Sequence, residues 1–384
     1  MILSGTGRKN ISASDLKING NLIIRTGAVL SNANYNRTLY IGGNWINENT
    51  VTGRFIPGRG TVVFDGNKVQ KFNTKVSENF YNLTINTIGE LDMSDAAAGA
   101  NINVSNKLTL TKGIIRTYDN RLVYITSTSS GAISGGNNNS YIDGTLRKDI
   151  LTGQSFTFPV GNDGRFGKVG ILNTNGGSSP AAWTARYSNN NDLPRVEGNL
   201  NSPITSVSDN EYWSVTRPTG ASANIKLRWD EQSYPGITTD ATLRNRLRVV
   251  QFNNADNKWS ERGQLINAGE KTVSTTSQVT TNDYLFTIGV IGVTASITDF
   301  SQVEICDNGE IASIPVALTG SAPWALTYKV EGNVNRSFTQ TGITSPNYLI
   351  QISGDDLAGA GTYNVSLVSV SDNSSNGTAH SGSV

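Results

Sequence analysis

The stretches Leu16-Lys17-Ile18-Asn19-Gly20-Asn21-Leu22-Ile23-Ile24, Leu39-Tyr40-Ile41-Gly42-Gly43-Asn44-Trp45-Ile46-Asn47 and Val62-Val63-Phe64-Asp65-Gly66-Asn67 are three versions of one pattern. Two apolar residues flank one residue of any type, and a Gly-Asn pair follows at a fixed phase. The apolar pair returns at Leu83/Ile85, Ile102/Val104 and Leu122/Tyr124, with starts 23, 23, 21, 19 and 20 residues apart. A period near 20 residues with one short strand per repeat predicts a β-solenoid. Such a fold presents extended faces and needs no closed cleft.

Alternation puts both residues of each pair on the inward face. Two core columns follow: Leu16, Leu39, Val62, Leu83, Ile102 and Leu122 in one, and Ile18, Ile41, Phe64, Ile85, Val104 and Tyr124 in the other. With rungs about 4.8 Å apart, six of them span roughly 25 Å. Asn21, Asn44 and Asn67 share one phase, which predicts a buried amide ladder at a turn. The glycines before them are expected to supply a positive φ at the corner. The segment from Tyr141, YIDGTLRKDI, reads as a last rung that covers the open strand edge.

Beyond the solenoid, helical periodicity is nearly missing, and alternating strands are separated by Gly, Asn, Asp and Ser. The expected fold is all-β: a right-handed parallel β-helix over 1–147, a β-sandwich over 148–291, and an immunoglobulin-like sandwich over 292–384. Trp183, Trp213, Trp229 and Trp259 each sit in an alternating strand of the middle region. GITTDATLRNRL, from Gly236, allows one helical turn. Gly361-Thr362-Tyr363, just before the strand NVSLVSV, resembles a tyrosine corner.

Composition narrows the function. Charged residues are 16% of the chain and the formal net charge is +1, with no basic run, so no nucleic-acid partner is expected. One cysteine, Cys306, and one histidine, His380, exclude an internal disulfide and a Cys/His zinc site. No apolar run is long enough for a transmembrane helix. The N-terminus, MILSGTGRKNISASD, lacks the apolar core of a signal peptide, and the chain reads as an internal piece of a longer protein.

The search for chemistry is largely negative. A β-helix that cleaves acidic polysaccharides needs carboxylates at one phase on adjacent rungs. Counted from the rung starts, Asp65, Glu90 and Asp95 fall at different offsets; Glu48 and Asp92 share one, but two rungs separate them. No catalytic residue and no cofactor is therefore expected. Calcium is the remaining metal, with Asp307, Asp355 and Asp356 as its oxygen-rich candidates, although such residues also build ordinary Asx turns. Tyr35, Tyr118 and Tyr141 fall in loops and are the candidates for stacking on sugar rings, whereas Trp45 is expected in the core.

The rungs LKINGNLII, LYIGGNWIN, FYNLTINTIGELDM and NKLTLTKGIIRT resemble repeats of large cell-surface proteins of the Bacteroidetes. The order also matches: these repeats, then SFTFPVGNDGRFG, then EYWSVTRP, then modules similar to VEICDNGE, LTGSAPWALTYKV and TYNVSLVSVSD. The resemblance implies export by type IX secretion and a place at the cell surface or outside it. It implies a gliding-motility adhesin whose partners are surface glycans or the substratum, joined to the outer-membrane machinery through the parent protein. It also implies an alternative, a glycan-binding accessory region of a larger secreted enzyme; the expected β-helix itself keeps a third reading, a polysaccharide lyase or hydrolase. Those modules often carry a second cysteine near the last strand; SDNSSNGT, the corresponding stretch here, has none.

Overall fold

The structure, a computed structural model, describes residues 1–189, 199–282, 284–299, 301, 304–305, 310–357, 359–372 and 376–380. Cys306 and the calcium candidate Asp307 lie outside the described residues. The fold is all-β, with a β-solenoid and an Ig-like domain near the C-terminus. Contacts divide the chain into two units. One comprises Met1–Arg195, Ser208–Trp229 and Arg262–Thr287; the other comprises Val196–Val207, Asp230–Glu261 and Ile288–Val384.

The first unit opens with the solenoid, whose strands pair in parallel. Leu16 pairs with Leu39, Leu39 with Val62, and Val62 with Leu83, while Ile18, Ile41, Phe64 and Ile85 form the companion column. Leu39, Ile41, Phe64, Leu83 and Ile85 are wholly buried. The core columns then depart from the expected register. Leu83 and Ile85 continue into Leu108 and Leu110. Ile102 and Val104 stack instead on Glu78 and Phe80, and beneath Val123 and Ile125. The cause is that Glu78–Asp92 and Ile102–Arg116 are continuous 15-residue strands that run through several faces. Their register shifts add residues, and more than one face of the long strands carries an i, i+2 apolar pair, such as Ile102/Val104 and Leu108/Leu110. In the next rung Val123 and Ile125 are buried, whereas Leu122 and Tyr124 are half-buried, one residue out of the expected phase.

The Gly-Asn corner also works differently. Gly20, Gly43 and Gly66 do not have positive φ. What Gly43 and Gly66 provide is close approach: a Cβ on Gly43 would lie 2.5 Å from Asn21 Oδ1 and from the Gly20 carbonyl carbon, and one on Gly66 2.7 Å from the Gly42 oxygen. The asparagines form no amide–amide ladder. The backbone N–H of Asn44 donates to Asn21 Oδ1 at 2.8 Å, and that of Lys71 donates to Asn44 Oδ1 at 2.8 Å. Asn21 and Asn67 are exposed. In the third rung buried Gln70 takes over, accepting from the Gly66 N–H at 2.9 Å and donating to the carbonyl oxygens of Ile41 and Gly43. Amide ladders do occur, on an outer face: Asn103 to Asn79 at 2.9 Å and Asn106 to Asn82 at 2.7 Å.

Ile142–Asp143 is not the last rung, because Val160–Asn162 pairs with it in parallel and turns back onto Arg165–Phe166. Leu146–Ile150 receives Ala181–Ser188 antiparallel, and Tyr212–Thr216 extends that ladder. A separate antiparallel sheet joins Phe156–Phe158, Val169–Gly176, Ala221–Arg228, Thr272–Ser274 and Leu265–Asn267. Here the stretches SFTFPVGNDGRFG and EYWSVTRP meet. Trp213 Nε1 donates to the Gly167 oxygen at 2.7 Å, and Arg165 pairs with Glu211 at 2.8 Å, both side chains buried. Tyr187 donates to the same Glu211 carboxylate at 2.9 Å. Gly167 is glycine because a Cβ there would sit 2.1 Å from the Tyr187 ring.

In the second unit, seven strands among the described residues form the Ig-like module. Thr294–Ile297 pairs antiparallel with Ile311–Leu318 and parallel with Asn376–His380. Trp324–Glu331 lies between Asn335–Ile343 and Asn364–Ser371. Leu326, Val330, Ile350 and Val370 centre the core. The Tyr363 hydroxyl donates to the Gly359 oxygen at 3.0 Å, tying down the preceding turn. The one-turn helix Ala241–Arg246 starts at Asp240, whose carboxylate accepts from the N–H groups of Thr242 and Leu243. Arg246 at its end grips Asp372 with two bonds of 2.7 and 2.6 Å.

Two predictions follow from these contacts. Gly43→Ala should destabilise the solenoid by about 1–3 kcal/mol, because backbone must move to admit the methyl, whereas Gly20→Ala, whose Cβ meets nothing within 4 Å, should stay within about 0.5 kcal/mol. Equal chemical-unfolding midpoints for the two variants would show that rung spacing does not select the glycine. Arg246→Ala should cost the second unit about 3–5 kcal/mol by removing both guanidinium bonds from the buried Asp372 carboxylate; calorimetry reads this as a lowered transition.

Candidate functional site

The solenoid carries one column in which charged side chains sit in register on consecutive rungs. Lys71 pairs with Asp92, Asp92 with Arg116, and Arg116 with Asp143. The residue before each is Gln70, Leu91, Ile115 and Ile142, all buried. Alternation points the charged column away from these core residues, although Asp92 and Asp143 are themselves buried. The Lys71 ammonium bonds the Asp92 carboxylate and, at 2.8 Å, the Ser94 hydroxyl. Arg116 Nε meets Glu90 at 2.9 Å, and its Nη1 meets Asp143 at 2.8 Å and Asp163 at 3.4 Å. Asp92 and Asp143 are buried, Lys71, Arg116 and Glu90 are partly exposed, and Asp163 is exposed.

The electrostatics follow from these partners. The bond to Asp92 raises the Lys71 pKa above its ordinary value. Burial pushes Asp92 upward, but Lys71 and Ser94 outweigh it and hold the carboxyl below the usual range. Burial likewise pulls Arg116 down, and Glu90 and Asp143 outweigh it, so the guanidinium is held more firmly protonated than usual. A cation fixed in this way donates hydrogen bonds and orients carboxylates; it is a poor proton acceptor. Tyr118, 38% exposed, has its hydroxyl against Asp92, and burial together with that carboxylate raises its pKa.

The other anticipated residues lie elsewhere. Glu48 bonds Arg25 at 2.8 Å and does not join Asp92. Asp65 meets Lys17 at 3.5 Å. Tyr35 is exposed, but Tyr141 is fully buried, accepting from the Gly164 N–H at 2.9 Å. Trp45 is in the core, edge-on to Phe55 with centroids 4.9 Å apart. Asp356 accepts from the Ser353 N–H and hydroxyl, both at 2.9 Å, as a cap on a short 3₁₀ turn, and Asp355 is exposed. Among the described residues no group of three or more His, Cys, Asp or Glu side chains is placed to hold a metal, and no helix is long and apolar enough to cross a membrane, which says nothing about strands.

Glu78 and Lys148 are among the buried ionisable groups that were not foreseen. Glu78 accepts from the Asn47 side chain, whose Oδ1 in turn accepts from Asn49 Nδ2 at 2.8 Å, deep in the solenoid. Burial pushes the Glu78 pKa up to about 8, against the opposing Asn47 bond. Lys148 is buried at 1% exposure, its ammonium held by the carbonyl oxygens of Ser127 and Asp149 and 5.2 Å from the centre of the Phe156 ring. Burial lowers its pKa to about 8. The only sequence signal was a charged residue at an inward phase.

Residues 295–383 match the family model of the Ig-like domain of nucleoporin POM152. The match covers the C-terminal module alone and is a likeness of that module. No curated protein matches the chain. An Ig-like module with a β-solenoid is an architecture consistent with a structural or adhesive, non-enzymatic part.

Glu78 yields a pH prediction. An unfolded glutamate ionises near 4.5 and the folded one near 8. Between those values the folded state retains a proton that the unfolded state has lost. Stability should therefore fall as pH rises through that window, by roughly 1 kcal/mol per pH unit, and level off above it. Glu78→Gln, which keeps the shape without the charge, should remove that slope in a melting-temperature series; an unaltered slope would place the titration elsewhere.

Proposed function

We propose that this chain is a non-enzymatic structural and adhesive segment of an extracellular, cell-surface protein. The observation that carries the reading is the stack of parallel rungs, which repeats side chains in straight columns along one axis. Many weak contacts along such columns add through multivalency. The order of rungs, middle stretches and Ig-like module further supports a gliding-motility type of adhesin, exported by type IX secretion and joined to the outer-membrane machinery through the parent protein. Its partners in this reading are surface glycans or the substratum.

The ionic column favours a second reading, a glycan-binding accessory region of a larger secreted enzyme. It argues less for a lyase or hydrolase acting here. Such chemistry needs a group that accepts a proton near neutral pH, and Arg116 is held protonated by the carboxylates around it. No cofactor enters the proposal, and calcium remains an addition to test.

The deciding experiment is binding of the purified chain to arrayed polysaccharides, with calcium and again with a chelator. Selective retention without product release is the expected result. Reducing ends or unsaturated products appearing with time would replace the adhesive reading with an enzymatic one.

A further inference from the structure

We propose that the outer face around Lys71, Glu90 and Arg116 binds a neutral, hydroxyl-rich polysaccharide chain laid along the solenoid axis. The inference rests on the adhesive reading above and adds to it the place and the chemical class of the ligand.

The first support is spacing. Donors and acceptors alternate on four consecutive rungs, about 4.8 Å apart. A sugar hydroxyl is donor and acceptor at once; the groups of this column that a polyol chain meets are the partly exposed cations Lys71 and Arg116, two rungs apart, while the buried Asp92 and Asp143 hold them in place. The second support is preorganisation. The ion pairs fix these groups before any ligand arrives, so binding costs little further ordering. Capacity remains: an ammonium has three donors and a guanidinium five, while the described bonds of Arg116 use Nε and Nη1.

The third support is apolar surface beside the charges. Val69 and Ile88 are 48% and 65% exposed, each two residues before a charged group, Lys71 and Glu90. Ile88 lies in the same strand as Glu90 and shares its face, and Val69 immediately precedes the strand that carries Lys71. Pyranose rings present C–H faces flanked by hydroxyl edges, and Tyr118 with this aliphatic pair offers those faces a surface. The fourth support is the sign of the charge. Glu90, Asp92, Asp143 and Asp163 face only Lys71 and Arg116 in this cluster. The excess of negative charge repels a polyuronate and leaves a neutral polymer favoured.

The test uses the full chain on neutral glucans, xylans and mannans against polyuronates. The wild type should bind a neutral polymer, with little dependence on salt. Ile88→Ser should weaken that binding about ten-fold at an unchanged melting temperature, Tyr118→Ala should weaken it as much with at most a small fall in melting temperature, because its hydroxyl meets Asp92, and Val51→Ser, an exposed change elsewhere, should not weaken it. Arg116→Gln should abolish binding, but because it also removes ion pairs, the two exposed variants decide. Wild-type affinity in both would overturn the site while leaving the adhesive reading in place. A preference for polyuronates would overturn the class of ligand. Absence of binding to every polysaccharide would overturn the glycan-adhesive reading and this inference with it.

Discussion

The rung-to-rung distance of about 4.8 Å is the constraint on which the rest of the solenoid depends. Parallel pairing in register sets each side chain directly over its counterpart, and only certain neighbours tolerate that. Apolar residues stack on apolar ones, as from Leu39 to Leu83. Gly43 has to be glycine because the rung below fills the space of its Cβ. Charges of like sign would repel at this distance, and the outer column alternates from Lys71 through Asp92 and Arg116 to Asp143. The same rule explains why Glu78 is tolerated in the core: an amide faces it, and burial pushes the carboxyl pKa up to about 8, which favours its neutral form.

Much of this was legible in the sequence where one rung copies the last. The first four members of each core column follow directly from spacing, as do the all-β class, the Ig-like module and the helical turn after Asp240. Legibility ended where strands lengthened. In Glu78–Asp92 and Ile102–Arg116 several faces carry the same apolar alternation, so Ile102 and Val104 could be assigned to the wrong one. The charged column was hidden for a related reason. Its members lie 21, 24 and 27 residues apart, because the intervening loops differ in length, and counting from rung starts scatters them. The amides at the Gly-Asn corner were visible as a column, but a sequence does not say whether an amide will bond another amide or the backbone of the next rung.

Beyond the stack, the stretches SFTFPVGNDGRFG and EYWSVTRP are united by contact. Arg165 and Gly167 from one meet Glu211 and Trp213 from the other. A buried ion pair of this kind gains little over apolar packing but is costly to break from one side. Arg246 and Asp372 repeat the arrangement within the second unit.

The direction of the backbone hydrogen bonds in the solenoid has a mechanical consequence. In a parallel stack they run along the axis, from one rung to the next. A pull on the chain near its first rungs therefore loads few bonds at a time and peels the rungs in order. Each rung of about 20 residues would release on the order of 70 Å of extended chain. Under tension such a stack yields in steps and lengthens while its remaining rungs stay folded.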